Sequence, residues 1–152
     1  MEENLTLLFA HDVRNYSILN FAYMGDTVLE LFTREYLLKT SGKTKPGELV
    51  TASRRFVTCE AQSDAVSRIE PLFSEEEADI FRRGRNAKTH FTPKHGDAIQ
   101  YRRATGFEAL MGYLYLTGRV LRAKELFLAA FDTKAGTNGH SGDETDNHTK
   151  EA

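Results

Sequence analysis

The chain has no tryptophan, one cysteine, three prolines and no apolar run approaching the ~18 residues that a bilayer crossing needs. A single cysteine, Cys59, excludes an internal disulfide, and without a CxxC pair a cysteine zinc site is excluded too. Cys59 is expected as a small core residue. The first residues, Met-Glu-Glu-Asn, carry the wrong charge for a signal peptide, so a cytoplasmic protein with no membrane association is expected. Strand-like alternation of useful length is also missing, and so is any internal repeat. Apolar residues instead recur at three and four positions throughout. The expected fold class is all-α.

What remains is enough for one domain. The 152 residues are 40% hydrophobic and 28% charged, ordinary values for a globular protein with a sizeable core. The formal net charge of −2 would argue against a nucleic-acid partner, but its distribution matters more than its sum. From Arg82 to Arg103 the chain carries Arg82, Arg83, Arg85, Lys88, Lys94, Arg102 and Arg103 against one acid, Asp97. Residues 133–152 hold Asp143, Glu144, Asp146 and Glu151 among Gly, Ser, Thr and Asn, and bury too little surface to offset their ordering entropy. We therefore expect a folded domain over 1–132 and a disordered polar, acidic tail over 133–152, which masks the basicity of the folded part.

Local signals divide the domain into helices. A first helix is expected from about Ser17 to Leu38, with Gly42 as a left-handed stop. Pro46 suits the first turn of a second long helix reaching about Ile69, ended by Pro71. Ser74 with Glu77 forms a capping box for a third helix to about Lys88, and its Glu75-Glu76-Glu77 run favours the positive end of the helix dipole. The stretch Thr89 to Gly96, THFTPKHG, reads as a loop. A fourth helix is expected from about Asp97 to Leu116, a break at Thr117-Gly118, and a last amphipathic helix over Val120 to Phe131, packed as a bundle.

Two carboxylates interrupt otherwise apolar helical stretches. Asp26 lies in FAYMGDTVLEL and Glu108 in TGFEALMGYLYL. Asp26 shares a helical face with Ala22 and Tyr23, and Glu108 with Ala104, Met111 and Gly112, so both are expected to point into an apolar seam. An unpartnered carboxylate taken out of water costs several kcal/mol. A divalent cation shared by the two would supply the partner, and oxygen-only ligation of this kind suits Mg²⁺. The bland alternatives are that Gly25-Asp26 is a turn and helix cap, and that Glu108 pairs with Arg102 or Arg103 one turn away.

The basic segment gives the acids a context. RRGRNAK, with Lys94, Arg102 and Arg103, can track phosphates, and Gly84 within it permits close backbone approach, although a charge run is more often a solvated face. Duplex RNA is bound through its shape, phosphates and 2′-hydroxyls, and acids holding metal beside such a surface point to phosphodiester hydrolysis. His90 and His95 flank Thr-Pro-Lys and offer a metal-free route to cyclic phosphate ends with Lys94.

YMGDTVLEL paired with FEALMGYLYL resembles the signature of the ribonuclease III catalytic domain. RRGRNAK followed by Pro93-Lys94 and Tyr101-Arg102 is similar to its compact Mini-III branch. The likeness runs from about Leu19 to Phe131. It implies an all-α homodimer that cuts double-stranded RNA with Mg²⁺, leaves 5′-phosphate and 3′-hydroxyl ends, and in bacteria matures 23S ribosomal RNA precursors. Asp26 matches the family's catalytic aspartate and Glu108 its metal-binding glutamate. Tyr23 and Met24 match positions that pack at the subunit seam. Arg83, Arg85, Asn86, Lys88, Lys94 and Arg102 are the expected RNA-binding residues. Ala22 and Thr105 stand where full-length ribonuclease III carries two further acids, so the charge around the metal is reduced. The competing expectation is a non-catalytic double-stranded-RNA-binding or ribosome-associated module on the same fold.

Overall fold

A computed structural model describes residues 12–89 and 97–132. The loop residues His90, Lys94 and His95 and the acidic tail from Thr133 lie outside the described residues. The described residues form six α-helices and two short 3₁₀ turns, with no strand. The helices are α1 (Ile18–Thr40), α2 (Pro46–Val57), α3 (Cys59–Ile69), α4 (Glu75–Arg85), α5 (Ala98–Leu116) and α6 (Val120–Phe131).

Most boundaries follow from local hydrogen bonding. Ser17 caps α1 by accepting from the Asn20 N–H, while Asn20 Oδ1 accepts from the Ser17 N–H at 2.9 Å. Gly42 has φ 68° and lets the chain turn away after Thr40. Ser74 and Glu77 form the expected capping box at α4, and the Asp97 carboxylate accepts from Ile99 N–H at 2.7 Å to start α5. Gly118, with φ 79°, separates α5 from α6.

Two expected boundaries are corrected. The second long helix is two helices: Thr58 adopts extended backbone, which ends α2, and its Oγ1 accepts from Ala61 N–H at 3.2 Å, which starts α3. The third helix stops at Arg85 with Asn86 as its C-cap, three residues short of Lys88. Cys59 is correspondingly half-buried at the start of α3 rather than a core residue.

α5 runs through the middle of the bundle, packed most extensively on α1 and then on α4 and α3. Phe107, Ala109, Leu110, Met111 and Leu114 are fully buried on different sides of it, as befits a helix enclosed by others. A cluster of rings from Phe32, Tyr36, Phe56, Phe127 and Phe131 fills the space between α1, α2 and α6. Arg122 binds the buried Glu77 at 2.9 Å and the Leu72 carbonyl at 2.8 Å, which fixes α6 to the start of α4. Arg103 reaches Ser63 Oγ at 3.0 Å, Ser67 Oγ at 2.8 Å and Glu70 at 3.5 Å, fixing the first half of α5 to α3.

The closest backbone approach is between α1 and α5. A Cβ on Gly112 would lie 1.9 Å from the Phe21 carbonyl oxygen, and one on Gly25 would lie 1.6 Å from the Glu108 carbonyl oxygen. Neither atom is a flexible side-chain end, so the helices could accommodate a methyl only by moving apart. α4 meets the opposite side of α5 in the same manner. A Cβ on Gly84 would be 2.7 Å from Ala109 Cβ and 2.9 Å from Gly106 Cα. Gly84 is therefore buried against α5, and it also borders the surface groove beside Arg85.

Gly112→Ala is expected to cost about 3 kcal/mol, as overpacking against rigid backbone does. Gly47→Ala, where nothing lies within 4 Å of the added carbon, should be neutral or stabilising in the first turn of α2. Denaturant unfolding of the two variants checks this, and equal losses would contradict the close-crossing account.

Candidate active site

Because Gly25 lies against the Glu108 carbonyl, the next residue of α1, Asp26, is carried to the same groove as Glu108 of α5. The groove has a volume of about 370 Å³. α1 contributes Leu19, Ala22, Tyr23, Asp26 and Thr27, spaced at helical intervals, and α5 contributes Tyr101, Thr105 and Glu108 at i, i+4 and i+7. Thr89, at the exit of α4, completes the wall.

The two acids have unequal environments. Asp26 is exposed on the groove's rim rather than pointing into a core, contrary to the sequence expectation, and it sits in mid-helix, not at a turn or cap. Its neighbour Tyr23 is 81% exposed, so the apolar residues of that stretch that are core, Phe21, Val28 and Leu29, lie on a different side of α1. Glu108 is half-buried. Burial, followed by the negative charge of Asp26, pushes its carboxyl up to about 8 from an ordinary value of 4.5. Arg103, an alternative partner for Glu108, is committed to Ser63, Ser67 and Glu70 instead. Cys59 also feels this site: burial and then the Glu108 charge raise its thiol.

Among the described residues no group of three or more His, Cys, Asp or Glu side chains could hold a metal ion. The donor set is therefore two carboxylates, with Ala22 and Thr105 in the intervening wall. The burial and the Asp26 charge that raise the Glu108 carboxyl would both be offset by a divalent cation between the two acids. Oxygen donors, with room for retained waters, match Mg²⁺ rather than zinc.

A second groove of about 490 Å³ adjoins the first. Arg85, Asn86, Lys88 and Arg102 line it, together with Gly84, Ala87 and Ala98. It shares Thr89, Tyr101 and Thr105 with the acidic groove, so the two form one continuous channel, cationic at one end and acidic at the other. The Arg85 guanidinium lies 5.8 Å from the centre of the Phe81 ring, and its Nε donates to Asn86 Oδ1 at 3.3 Å. Arg83 does not line the channel; its nearest carboxylate is Asp79, at 4.0 Å. Nothing in the sequence marks Thr89 as a wall residue, since only the spatial return of α5 beside α4 puts it there.

Comparison with known proteins gives the family. The sequence profile of the Ribonuclease III domain matches residues 19–119. A Mini-ribonuclease 3 of Symbiobacterium thermophilum is 44% identical over 114 residues, covering 75% of this chain and 87% of that protein. The chain belongs to the Mini-ribonuclease 3 branch of the ribonuclease III family. A second such relative, from Thermoanaerobacter, is 43% identical over 82% of the chain and 87% of its own length. A crystal structure of a Fusobacterium nucleatum protein has the same fold, with a TM-score of 0.71 and 28% identity over 81% of this chain and 98% of that one. As a Mini-ribonuclease 3 family member with a ribonuclease III domain, the chain is an endoribonuclease.

The raised Glu108 carboxyl fixes the sign of a pH effect on the metal-free protein. In the folded state it keeps its proton up to about pH 8, and in the unfolded state only to about 4.5. The stability it contributes is thus complete below pH 4.5 and is lost as pH rises through 8. Glu76, held at about 2 by Arg119 and Tyr113, changes stability only at lower pH and does not obscure this window. Denaturant melts between pH 5 and 8 in chelator should show stability falling for the native chain and a flatter profile for Glu108→Gln. Parallel profiles would show that Glu108 has an ordinary carboxyl.

Proposed function

We propose that this endoribonuclease cleaves double-stranded RNA with Mg²⁺ held by Asp26 and Glu108, leaving 5′-phosphate and 3′-hydroxyl ends. The observation that carries the proposal is the single channel joining the acid pair to Arg85, Asn86, Lys88 and Arg102. Phosphates bound at the cationic end bring the same strand past the acids. The resemblance to the Mini-III branch supports the finer assignments: the 23S ribosomal RNA precursor as the cellular substrate, action in the cytoplasm, and a homodimer.

Each side chain of the channel has a physical role in this reading. Arg85, Lys88 and Arg102 attract and hold the phosphodiester backbone, with Asn86 as a neutral donor beside them. Asp26 and Glu108 hold the cation, and Glu108 must release its proton to do so, which makes loading pH-dependent. When bound, Mg²⁺ acts as a Lewis acid that eases ionisation of water and offsets charge on the phosphate. Ala22 and Thr105 add no charge, so the two carboxylates alone balance one divalent ion. The exposed rings of Tyr23 and Tyr16, beside Leu19, form a surface suited to a two-fold partner. Two sites related by two-fold symmetry would address the two strands of a duplex.

Incubated with a labelled perfect RNA duplex, the protein should cut both strands in Mg²⁺ and neither in chelator. Asp26→Asn should bind the duplex and lose on the order of a thousandfold in rate. Neutral replacement of Arg85, Lys88 or Arg102 should reduce the salt slope of binding by roughly one for each phosphate left without its cation. Undiminished hydrolysis by Asp26→Asn would contradict the assignment, and chelator-resistant cyclic ends would move the chemistry to His90 and His95.

A further inference from the structure

The described lysines and arginines divide by whether a carboxylate holds them. Arg82 and Arg83 share Asp79, Arg103 meets Glu70, Arg119 meets Glu76, Arg122 meets Glu77 and Lys124 meets Glu35. Among the described residues, the cations without a carboxylate partner fall into two groups. One is Arg85, Lys88 and Arg102, which line the channel. The other is Lys39, Lys43, Lys45, Arg54, Arg55 and Arg68, at the end of α1 and on the two helices that follow it.

Every member of the second group is exposed. Lys43, Arg55 and Arg68 line one groove of about 820 Å³, which Asp64 and Asp132 also line. Arg68 donates to the Ala130 carbonyl at 2.8 Å and the Arg55 guanidinium lies 4.9 Å from the centre of the Phe56 ring, so these two have duties within the fold. The side chains of Lys39, Lys43, Lys45 and Arg54 have none: no hydrogen bond, ion pair or ring contact holds them. Residues 39–55 contain one acid, Glu48, so the surface is cationic in excess.

This surface lies outside the channel but not far from it. Lys39 follows Asp26 on the same continuous helix, about 20 Å away at the α-helical rise. A shorter connection runs across α3, because Arg103, next to the channel residue Arg102, donates to Ser67 Oγ at 2.8 Å, and Arg68 comes next in the chain. A ligand confined to the channel gives such distant cations nothing to bind. A duplex is a rod that continues past its cut, with phosphates at every nucleotide, and proteins grip helical RNA at separated points along its length.

We infer that Lys39, Lys43, Lys45, Arg54 and Arg55 form a second contact surface for the phosphate backbone of the substrate duplex, engaging a stretch of it beyond the channel. The inference rests on the duplex-RNA reading above. It makes affinity depend on duplex length. A duplex that covers only the channel meets Arg85, Lys88 and Arg102, and a longer one gains the second set.

The test combines a Lys43→Gln, Arg54→Gln, Arg55→Gln triple variant with RNA duplexes whose arms on either side of the mapped cut are lengthened stepwise. Binding is read by fluorescence anisotropy over a range of salt concentrations in the non-cleaving Asp26→Asn background. With the native surface, affinity should rise and its salt dependence steepen once one arm passes a threshold length. On duplexes beyond that length the triple variant should lose roughly one in salt slope for each phosphate given up, and on shorter ones the two proteins should bind alike. In the cleaving enzyme the loss should fall on KM rather than kcat, and only on long duplexes. A Lys43→Gln, Lys45→Gln pair repeats the measurement without touching Arg55 at the Phe56 ring, and an unchanged melting temperature checks that either variant is folded. Equal losses at every duplex length would overturn the inference. So would native-like affinity and salt slope on the longest duplex, which would leave the surface to an acidic protein partner. If the protein binds no RNA duplex of any length, the reading beneath the inference fails with it, a result distinct from either.

Discussion

The crossing of α1 and α5 at glycine is the constraint on which the rest of the molecule depends. Backbone meets backbone there, with a hypothetical Gly112 Cβ 1.9 Å from the Phe21 carbonyl oxygen and a Gly25 Cβ 1.6 Å from that of Glu108. Carbonyl oxygens have no rotamers through which to yield, so any methyl at these positions separates the helices. The same crossing fixes the relation of Asp26 to Glu108, because each residue sits on or next to it. Fold and site are thus set together, and α5, held on its other side by α4 at Gly84, has little freedom to adjust.

Electrostatics then divides the channel. Glu108 loses water and faces the Asp26 charge, while Arg85, Lys88 and Arg102 stay at the other end and do not neutralise it. The arginines that pair with carboxylates elsewhere do structural work: Arg103 ties α5 to α3, Arg119 binds Glu76 at 2.9 Å, and Arg122 binds Glu77. Those three arginines are engaged away from the acid pair, and in the proposed reading the counter-charge for the pair is a cation from solution. The chain's overall charge of −2 conceals this segregation entirely.

Features created by neighbours in sequence were legible in it. The Ser74–Glu77 capping box, the start of α5 near Asp97 and the stops at Gly42 and Gly118 all arise from bonds or backbone angles within a few residues. The break at Thr58 was not, because Thr58 is followed at the third helical position by Ala61 in place of a Glu or Gln, so only one half of the capping pattern exists. The exposure of Asp26 was misread for a related reason: Ala22 and Tyr23 made its face look interior, although Tyr23 itself stands 81% exposed. Glu108 is half-buried, closer to its reading as an interior acid, since residues on both sides of it in α5 are core. That the two acids would meet was anticipated from their motifs, and they do line one groove. The continuity of the acidic and basic ends was not, because it depends on α5 returning beside the end of α4.

The central claim is that the glycine crossing holds the half-buried Glu108 in one groove with Asp26, where we propose that a divalent cation is their partner. Carbon-13 NMR titration of the Glu108 carboxyl, without and with Mg²⁺, addresses it directly. The account predicts a midpoint near pH 8 without metal and a much lower one with it, the metal-dependent shift disappearing in Asp26→Asn. A midpoint near the ordinary 4.5 without metal, or one that Mg²⁺ leaves in place, would contradict it.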